Sequence, residues 1–198
     1  MDLTYWEKYY SQNSKPFNPS SFAKDIVKNI NKKSELIDIG CGNGRDSLFF
    51  SSQKIYTVGI DQSINIVNIL KQYENKYLKF QNEDIKNLHQ KRYDYAYCRF
   101  LFHSLNENEE SSLLQWLKDN ITKNIFIESR IDEDKEKYSK TDHYRRLMNI
   151  EDFKSKLTEF DLKIQSEEKS DKFSIYKENY NVSDISFNPM LVRFTLSP

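Results

Sequence analysis

Apolar residues fall along this chain in two alternating patterns. Short continuous runs at Leu36–Ile39, Ile55–Ile60, Tyr77–Gln81, Tyr93–Arg99 and Asn124–Ser129 read as strands. Between them, Leu48, Phe49 and Phe50, then Ile66, Val67, Ile69, Leu70 and Tyr73, then Leu113, Leu114 and Leu117 recur at helical spacing. The caps agree with the periods. Ser63 precedes the second set, Asn106-Glu107-Asn108-Glu109 has the form of a capping box, and Asn149 precedes a further apolar face of Phe153, Leu157 and Phe160. Strands alternating with helices predict an α/β fold with a largely parallel sheet and helices on both faces.

The ends of the chain read less simply. Tyr5/Tyr9 and Trp6/Tyr10 are i,i+4 pairs, which predicts a short aromatic-striped helix within residues 1–19. That segment either packs on the domain or closes over a ligand as a lid. Phe22, Ile26, Val27 and Ile30 predict a second helix up to Asn31, capped by Ser20 or Ser21. Leu162–Glu167 and Met190–Leu196 read as strands, with Phe173–Tyr176 a candidate extension of the first. Residues 1–198 are expected to form a single domain, with 131–150 a charged, glycine-free insertion on the substrate side.

Composition narrows the partners. Lys+Arg and Asp+Glu both number 30, so no basic field points to nucleic acid. Two cysteines, Cys41 and Cys98, outside any CxxC pattern fit a reducing, cytoplasmic setting. No apolar run approaches transmembrane length and no leader-like segment opens the chain, so a soluble protein with no membrane partner is expected. His89, His103 and His143 are scattered, and no metal site is expected. Lysine outnumbers arginine 23 to 7, which makes each arginine worth locating.

The chemistry concentrates after the strands, where open α/β sheets bind ligands. Three of the four glycines lie in Asp38-Ile39-Gly40-Cys41-Gly42-Asn43-Gly44-Arg45-Asp46. Glycine permits close approach of backbone to a ligand. A dinucleotide site uses Gly-x-Gly-x-x-Gly, and here the spacing is one residue shorter. Asp38, two residues before Gly40, would repel a pyrophosphate and suit a cation, such as the amino group of S-adenosylmethionine (SAM). Asp61, after the second strand and followed by Gln62 and Ser63, is placed for ribose hydroxyls. Asp84, after the third, is placed for an adenine amine, with Ile85 packing on the ring.

Leu36-Ile37-Asp38-Ile39-Gly40-Cys41-Gly42-Asn43-Gly44 resembles motif I of the class I SAM-dependent methyltransferases. Gly59-Ile60-Asp61-Gln62-Ser63 and Asn82-Glu83-Asp84-Ile85 resemble the motifs that follow, and the likeness spans roughly residues 20–130. The resemblance implies a Rossmann-like sheet of seven strands, the last two an antiparallel hairpin. It implies a cofactor site of Asp38, Gly40, Gly42, Asn43, Gly44, Arg45, Asp46, Asp61, Gln62, Ser63, Asp84, Ile85 and Arg99.

Arginines mark the acceptor side. Arg99 ends the fourth strand, Arg130 the fifth, and Arg145 and Arg146 follow His143-Tyr144. Guanidinium forks suit phosphate or carboxylate, while paired charges at strand ends also occur simply solvated. The pattern of Arg99, Phe100, His103, then Glu128 and Arg130, then His143, Tyr144 and Arg145 resembles small methyltransferases of bacterial surface-polysaccharide clusters, some tied to O-methyl phosphoramidate decoration. That resemblance implies O-methylation of a small anionic metabolite or nucleotide-activated glycan precursor in capsule synthesis, with His103, Arg130 and Tyr144 catalytic. The chain has Glu159-Phe160 where that family has Gly-Phe. The alternatives are methylation of a sugar hydroxyl or carboxylate with His103 as base, a non-catalytic SAM-binding subunit, and an NAD-linked dehydrogenase.

Overall fold

A computed structural model describes residues 3–16, 18–133, 146–173 and 189–198. Helices α1 (Leu3–Gln12) and α2 (Ser21–Ile26) precede strand β1 (Glu35–Ile39). Then follow α3 (Arg45–Ser52), β2 (Tyr56–Asp61), α4 (Ile64–Leu70), β3 (Leu78–Asn82), β4 (Tyr93–Arg99), α5 (Glu107–Asn120) and β5 (Ile121–Arg130). The chain closes with α6 (Ile150–Glu159), β6 (Lys163–Ser170) and β7 (Leu191–Ser197).

The seven strands order as β3-β2-β1-β4-β5-β7-β6. β1 pairs in parallel with β2 and β4, and β4 in parallel with β5. β7 runs antiparallel between β5 and β6. The sheet is thus parallel except for its inserted seventh strand. Its topological switch lies between β1 and β4, so ligands are expected beyond the carboxyl ends of those strands.

Side-chain alternation splits the core across the sheet. On one face, Ile37, Ile39, Ala96, Cys98, Ile125 and Ile127 meet Leu113, Leu114 and Leu117 of α5 and Phe153 and Leu157 of α6. On the other, Leu36, Tyr95, Tyr97 and Phe126 meet Phe22 and Ile26 of α2 and Phe50 of α3. Ile66, Val67 and Leu70 of α4 pack on Leu78 and Phe80 of β3.

The caps behave as the sequence predicts. Ser63 Oγ accepts the Ile66 N–H, Asn106 and Glu109 close a reciprocal capping box, and Asn149 accepts from Asp152. Ser20, not Ser21, caps α2. Several boundaries differ, among them the following. The helix expected to reach Asn31 leaves α geometry after Ile26 and ends in a single 3₁₀ turn, Val27–Asn29. The fifth strand starts at Ile121, three residues early, because α5 runs straight into it. Of the extension expected at Phe173–Tyr176, Phe173 ends a 3₁₀ turn, Asp171–Phe173, and the rest lies outside the described residues, as does most of the 131–150 insertion.

Candidate active site

A cavity of about 290 Å³ opens beyond the carboxyl ends of the central strands, and α1 lies across it with Tyr5, Trp6, Tyr9 and Tyr10 in the wall. Its charged residues come from distinct strand ends, with Arg45 beside Asp46 at the glycine loop. Asp38, Asp46 and Asp61 come with the glycine loop and β2, while Arg99, His103 and Arg130 come with the ends of β4 and β5.

The acidic end is built on buried carboxylates. Asp38 is 3% exposed and accepts a 2.5 Å hydrogen bond from Ser47 Oγ, on the first turn of α3. Burial pushes its pKa up to about 8; the Ser47 bond opposes this, and the charges of Asp46 and Asp61 add to it. Asp61 accepts the N–H groups of Gly42 at 3.0 Å and Ser63 at 2.9 Å, yet burial still raises it to about 6. Asp46 is committed elsewhere. It accepts from the Ser20 N–H, Ser20 Oγ and Tyr97 OH at 2.8–2.9 Å, which ties the start of α2 to the cavity floor.

These residues fit SAM. A cation placed among them relieves the burial and mutual repulsion that raise Asp38. Gln62 Nε2 is buried and has no hydrogen-bond partner among the described residues, which suits a ligand acceptor at the ribose side. Asn43 lines the cavity while donating to the Lys15 carbonyl at 2.9 Å, so the loop holds the segment after α1. When bound, SAM supplies a methyl group already activated by its sulfonium.

Gly42 shows why the loop needs glycine. Its φ is +55°, and a Cβ there would sit 2.6 Å from the Tyr10 hydroxyl. Gly42→Ala is therefore expected to cost about 1–2 kcal/mol from backbone strain and to push Tyr10 and α1 off the loop. The check is Trp6 emission in a Trp116→Phe background, read beside the urea midpoint. Unchanged emission would mean that α1 is not seated through this contact.

A slot of about 20 Å³ adjoins the cavity, lined by Ile39, Ile60, Gln62, Glu83, Ile85 and Leu101 among others. Ile85 stands where an apolar contact to a flat ring was expected. Asp84 does not line the slot; its carboxylate accepts the Lys86 N–H at 3.0 Å and caps the following turn. The acids at that wall are Asp61 and Glu83, and Glu83 Oε2 lies 2.8 Å from His89 Nδ1. Ser63 is likewise spent on capping α4 and lies in neither wall.

At the basic end, Phe100 has φ +56°, a conformation that a phenylalanine adopts only under constraint. Its N–H donates to the Glu128 carbonyl at 2.8 Å, and its ring lies under the guanidiniums of Arg99, at 4.1 Å, and Arg130, at 5.3 Å. His103 lies 5.8 Å from that ring and is 4% exposed, in a 3₁₀ turn. Glu128 is one of the residues that carry the acceptor-side resemblance. It lies outside the cavity wall, 1% exposed, and bonds Arg99 Nε at 2.8 Å and Arg193 Nε at 2.7 Å. Arg146 also turns away from the mouth: it pairs with Glu110 and donates Nε–H to the Leu105 carbonyl, while its backbone N–H holds the His103 carbonyl at 2.7 Å. His143, Tyr144 and Arg145 lie outside the described residues.

Sequence reasoning passed over Tyr97, Leu101, Ser104, Glu83 and Arg193. Arg193 carried a legible signal, a lone charge in the apolar run Leu191–Leu196. Tyr97 carried none, since an aromatic in a buried strand reads as core.

Fold and site now bear comparison with known proteins. The structure is similar to a SAM-dependent methyltransferase from Methanosarcina mazei (14% identity, 87% of this chain and 96% of that one, TM-score 0.70). It is similar to magnesium protoporphyrin IX methyltransferase from Synechocystis with bound SAM (15% identity, 90% and 77%, TM-score 0.67). It is also similar to the [4+2]-cyclase SpnF (12% identity, 99% and 92%, TM-score 0.73), so this likeness establishes the fold and not the reaction. No curated protein matches the sequence.

The match over the glycine loop, on this fold, supports a SAM-dependent methyltransferase with SAM as its cofactor. Residues 36–123, the stretch that carries the loop and the next three strand ends, match the family model of a methyltransferase domain. Among the described residues no group of His, Cys, Asp or Glu could hold a metal ion, and no helix is long and apolar enough to cross a membrane.

Proposed function

We propose that this methyltransferase transfers its methyl group to an oxygen of a small anionic acceptor. The observation that carries this reading is the pair of guanidiniums, Arg99 and Arg130, stacked on Phe100 in the cavity wall. Arginine binds phosphate and carboxylate in a fixed fork. An anionic oxygen is already nucleophilic, so Arg130 and its neighbours need to position it and exclude water rather than deprotonate it. The phosphoramidate-type acceptor of a capsule precursor is the particular member of this class that the resemblance suggests. Four of the eight residues carrying that resemblance, Arg99, Phe100, His103 and Arg130, line the cavity.

The second reading, a neutral hydroxyl with His103 as base, is favoured by the buried position of His103 in the same wall. One experiment separates the two. A methyl-transfer screen of phosphorylated metabolites and glycan precursors, read by S-adenosylhomocysteine release, supplies the acceptor. On the first reading Arg130→Ala raises the acceptor KM at least about 10-fold with kcat little changed, the effect of losing a charged hydrogen bond. On the second, His103→Ala lowers kcat by about 10²-fold or more.

A further inference from the structure

Ser104 stands beside His103 in the 3₁₀ turn after β4. It lines the cavity and is 4% exposed. Its backbone N–H is satisfied by the Leu101 carbonyl at 2.8 Å. Its Oγ is buried and has no hydrogen-bond partner among the described residues.

A buried hydroxyl left unpaired is destabilising, and native structures rarely keep one without a reason. Other buried serine hydroxyls are spent differently. Ser47 donates to Asp38, Ser20 to Asp46, and Ser63 caps a helix. The unspent hydroxyl is the one set at the basic end, on the same wall as His103 and Arg130. A serine hydroxyl both donates and accepts and rotates to suit its partner. In a cavity also lined by Arg99 and Arg130, the ligand atom best matched to it is an anionic oxygen, which can accept from the hydroxyl and from a guanidinium.

We infer that Ser104 Oγ donates a hydrogen bond to the anionic group of the acceptor and is a specificity-determining residue for it. This inference rests on the anionic-acceptor reading above. A donor fixed in the wall discriminates more than a charge does, because a ligand lacking the matching acceptor leaves the hydroxyl unpaired. Ser104 thus selects among small anions by the position of their oxygens, while Arg130 attracts them by charge.

The test uses Ser104→Ala and needs no identified acceptor. Two quantities are measured: the melting temperature of the ligand-free protein, and the dissociation constant of inorganic phosphate titrated in the presence of S-adenosylhomocysteine. The expected result is a melting temperature equal to or above that of the wild type, because an unpaired buried donor has been removed, with phosphate bound about 5- to 20-fold more weakly, the loss of one hydrogen bond to a charged group. Ser104→Thr, which keeps the hydroxyl, is expected to restore part of the phosphate affinity. A lower melting temperature for Ser104→Ala would mean that the hydroxyl serves the fold, and would overturn the inference. Equal phosphate affinity in wild type and Ser104→Ala would also overturn it and leave the anionic-acceptor reading standing. Failure of phosphate to bind the wild type, with arginine substitutions equally silent, would overturn that reading and this inference with it.

Discussion

Asp38→Asn is expected to weaken SAM binding by about 10- to 10³-fold at pH 8, the range by which one close opposite charge shifts an equilibrium. Asparagine keeps the size of the side chain and an oxygen for Ser47 Oγ, so the loss isolates charge. The pH dependence has a definite sign. In the ligand-free protein Asp38 ionises only near pH 8, held there by burial and then by the fields of Asp46 and Asp61. Binding a cation requires the ionised form. SAM affinity should therefore rise about 10-fold between pH 6 and 7, and binding should release a proton. Calorimetry in two buffers of different ionisation enthalpy reads that proton directly.

The same shift works against the empty protein. Its folded-state pKa lies above the unfolded value of 3.8, so the folded form binds more protons across the interval. Stability conferred by Asp38 is full below about pH 4 and is lost as pH rises towards about 8. Asp61, raised to about 6, adds a loss of the same sign between about 4 and 6. Asp38→Asn should consequently melt higher than the ligand-free wild type at pH 8 while binding SAM worse. Equal SAM affinity in the two proteins, or an affinity flat from pH 6 to 8, would remove Asp38 from the role of counter-charge.

The largest stability effect should come from Glu128. Its two oxygens bond two different arginines from inside the sheet. Arg193 passes the connection outward to Asp25 and to Ser21 Oγ, both at 2.8 Å, and lies over the ring of Phe22 at 4.9 Å. Glu128→Gln would leave two guanidiniums facing a neutral amide in a water-poor setting. Removing one partner of a buried pair typically destabilises by about 3–5 kcal/mol. For a chain of this size that lowers the melting temperature by roughly 6–20 °C. Arg193→Met should restore part of the loss in the double variant, since one orphaned charge goes with it. A loss below about 1 kcal/mol would show that water or a rearranged partner already compensates Glu128. Arg99 would then need some other hold to stay over Phe100.

The sequence made the sheet legible because its parallel strands are buried on both faces and so print as continuous apolar runs. The cofactor end was legible for a related reason. Asp38, Gly40, Gly42, Gly44 and Asp61 sit at fixed distances from strand ends, and a strand end locates a side chain in space. The rest depends on distances that the chain order hides. Arg193 and Glu128 are 65 residues apart, and Asp25 and Arg193 are 168. No local pattern links them. Asp84 and Glu83 illustrate another limit. Adjacent acids in a loop differ only by which way the turn carries them, and capping chemistry took Asp84. Phe100 is the clearest case, since its positive φ goes with a hydrogen bond to the Glu128 carbonyl and a cation–π contact with Arg130, both on β5.

The placing of Asp38 and Asp61 at the ends of β1 and β2, and of Arg99 and Arg130 at the ends of β4 and β5, also has a bearing on turnover. Its wall offers negative potential to one ligand and positive potential to the other. Methyl transfer turns a sulfonium into a neutral thioether and removes a negative charge from an anionic acceptor. On the anionic-acceptor reading, Arg99 and Arg130 therefore hold the acceptor more tightly than its methylated product, while Asp38, as counter-charge to the α-amino group, meets the same charge before and after transfer. Order of addition follows too: an empty acidic end repels an anion, so cofactor should enter first. Inhibition by the thioether product, which keeps that amino group, should weaken with Asp38→Asn by about the same factor as SAM binding does.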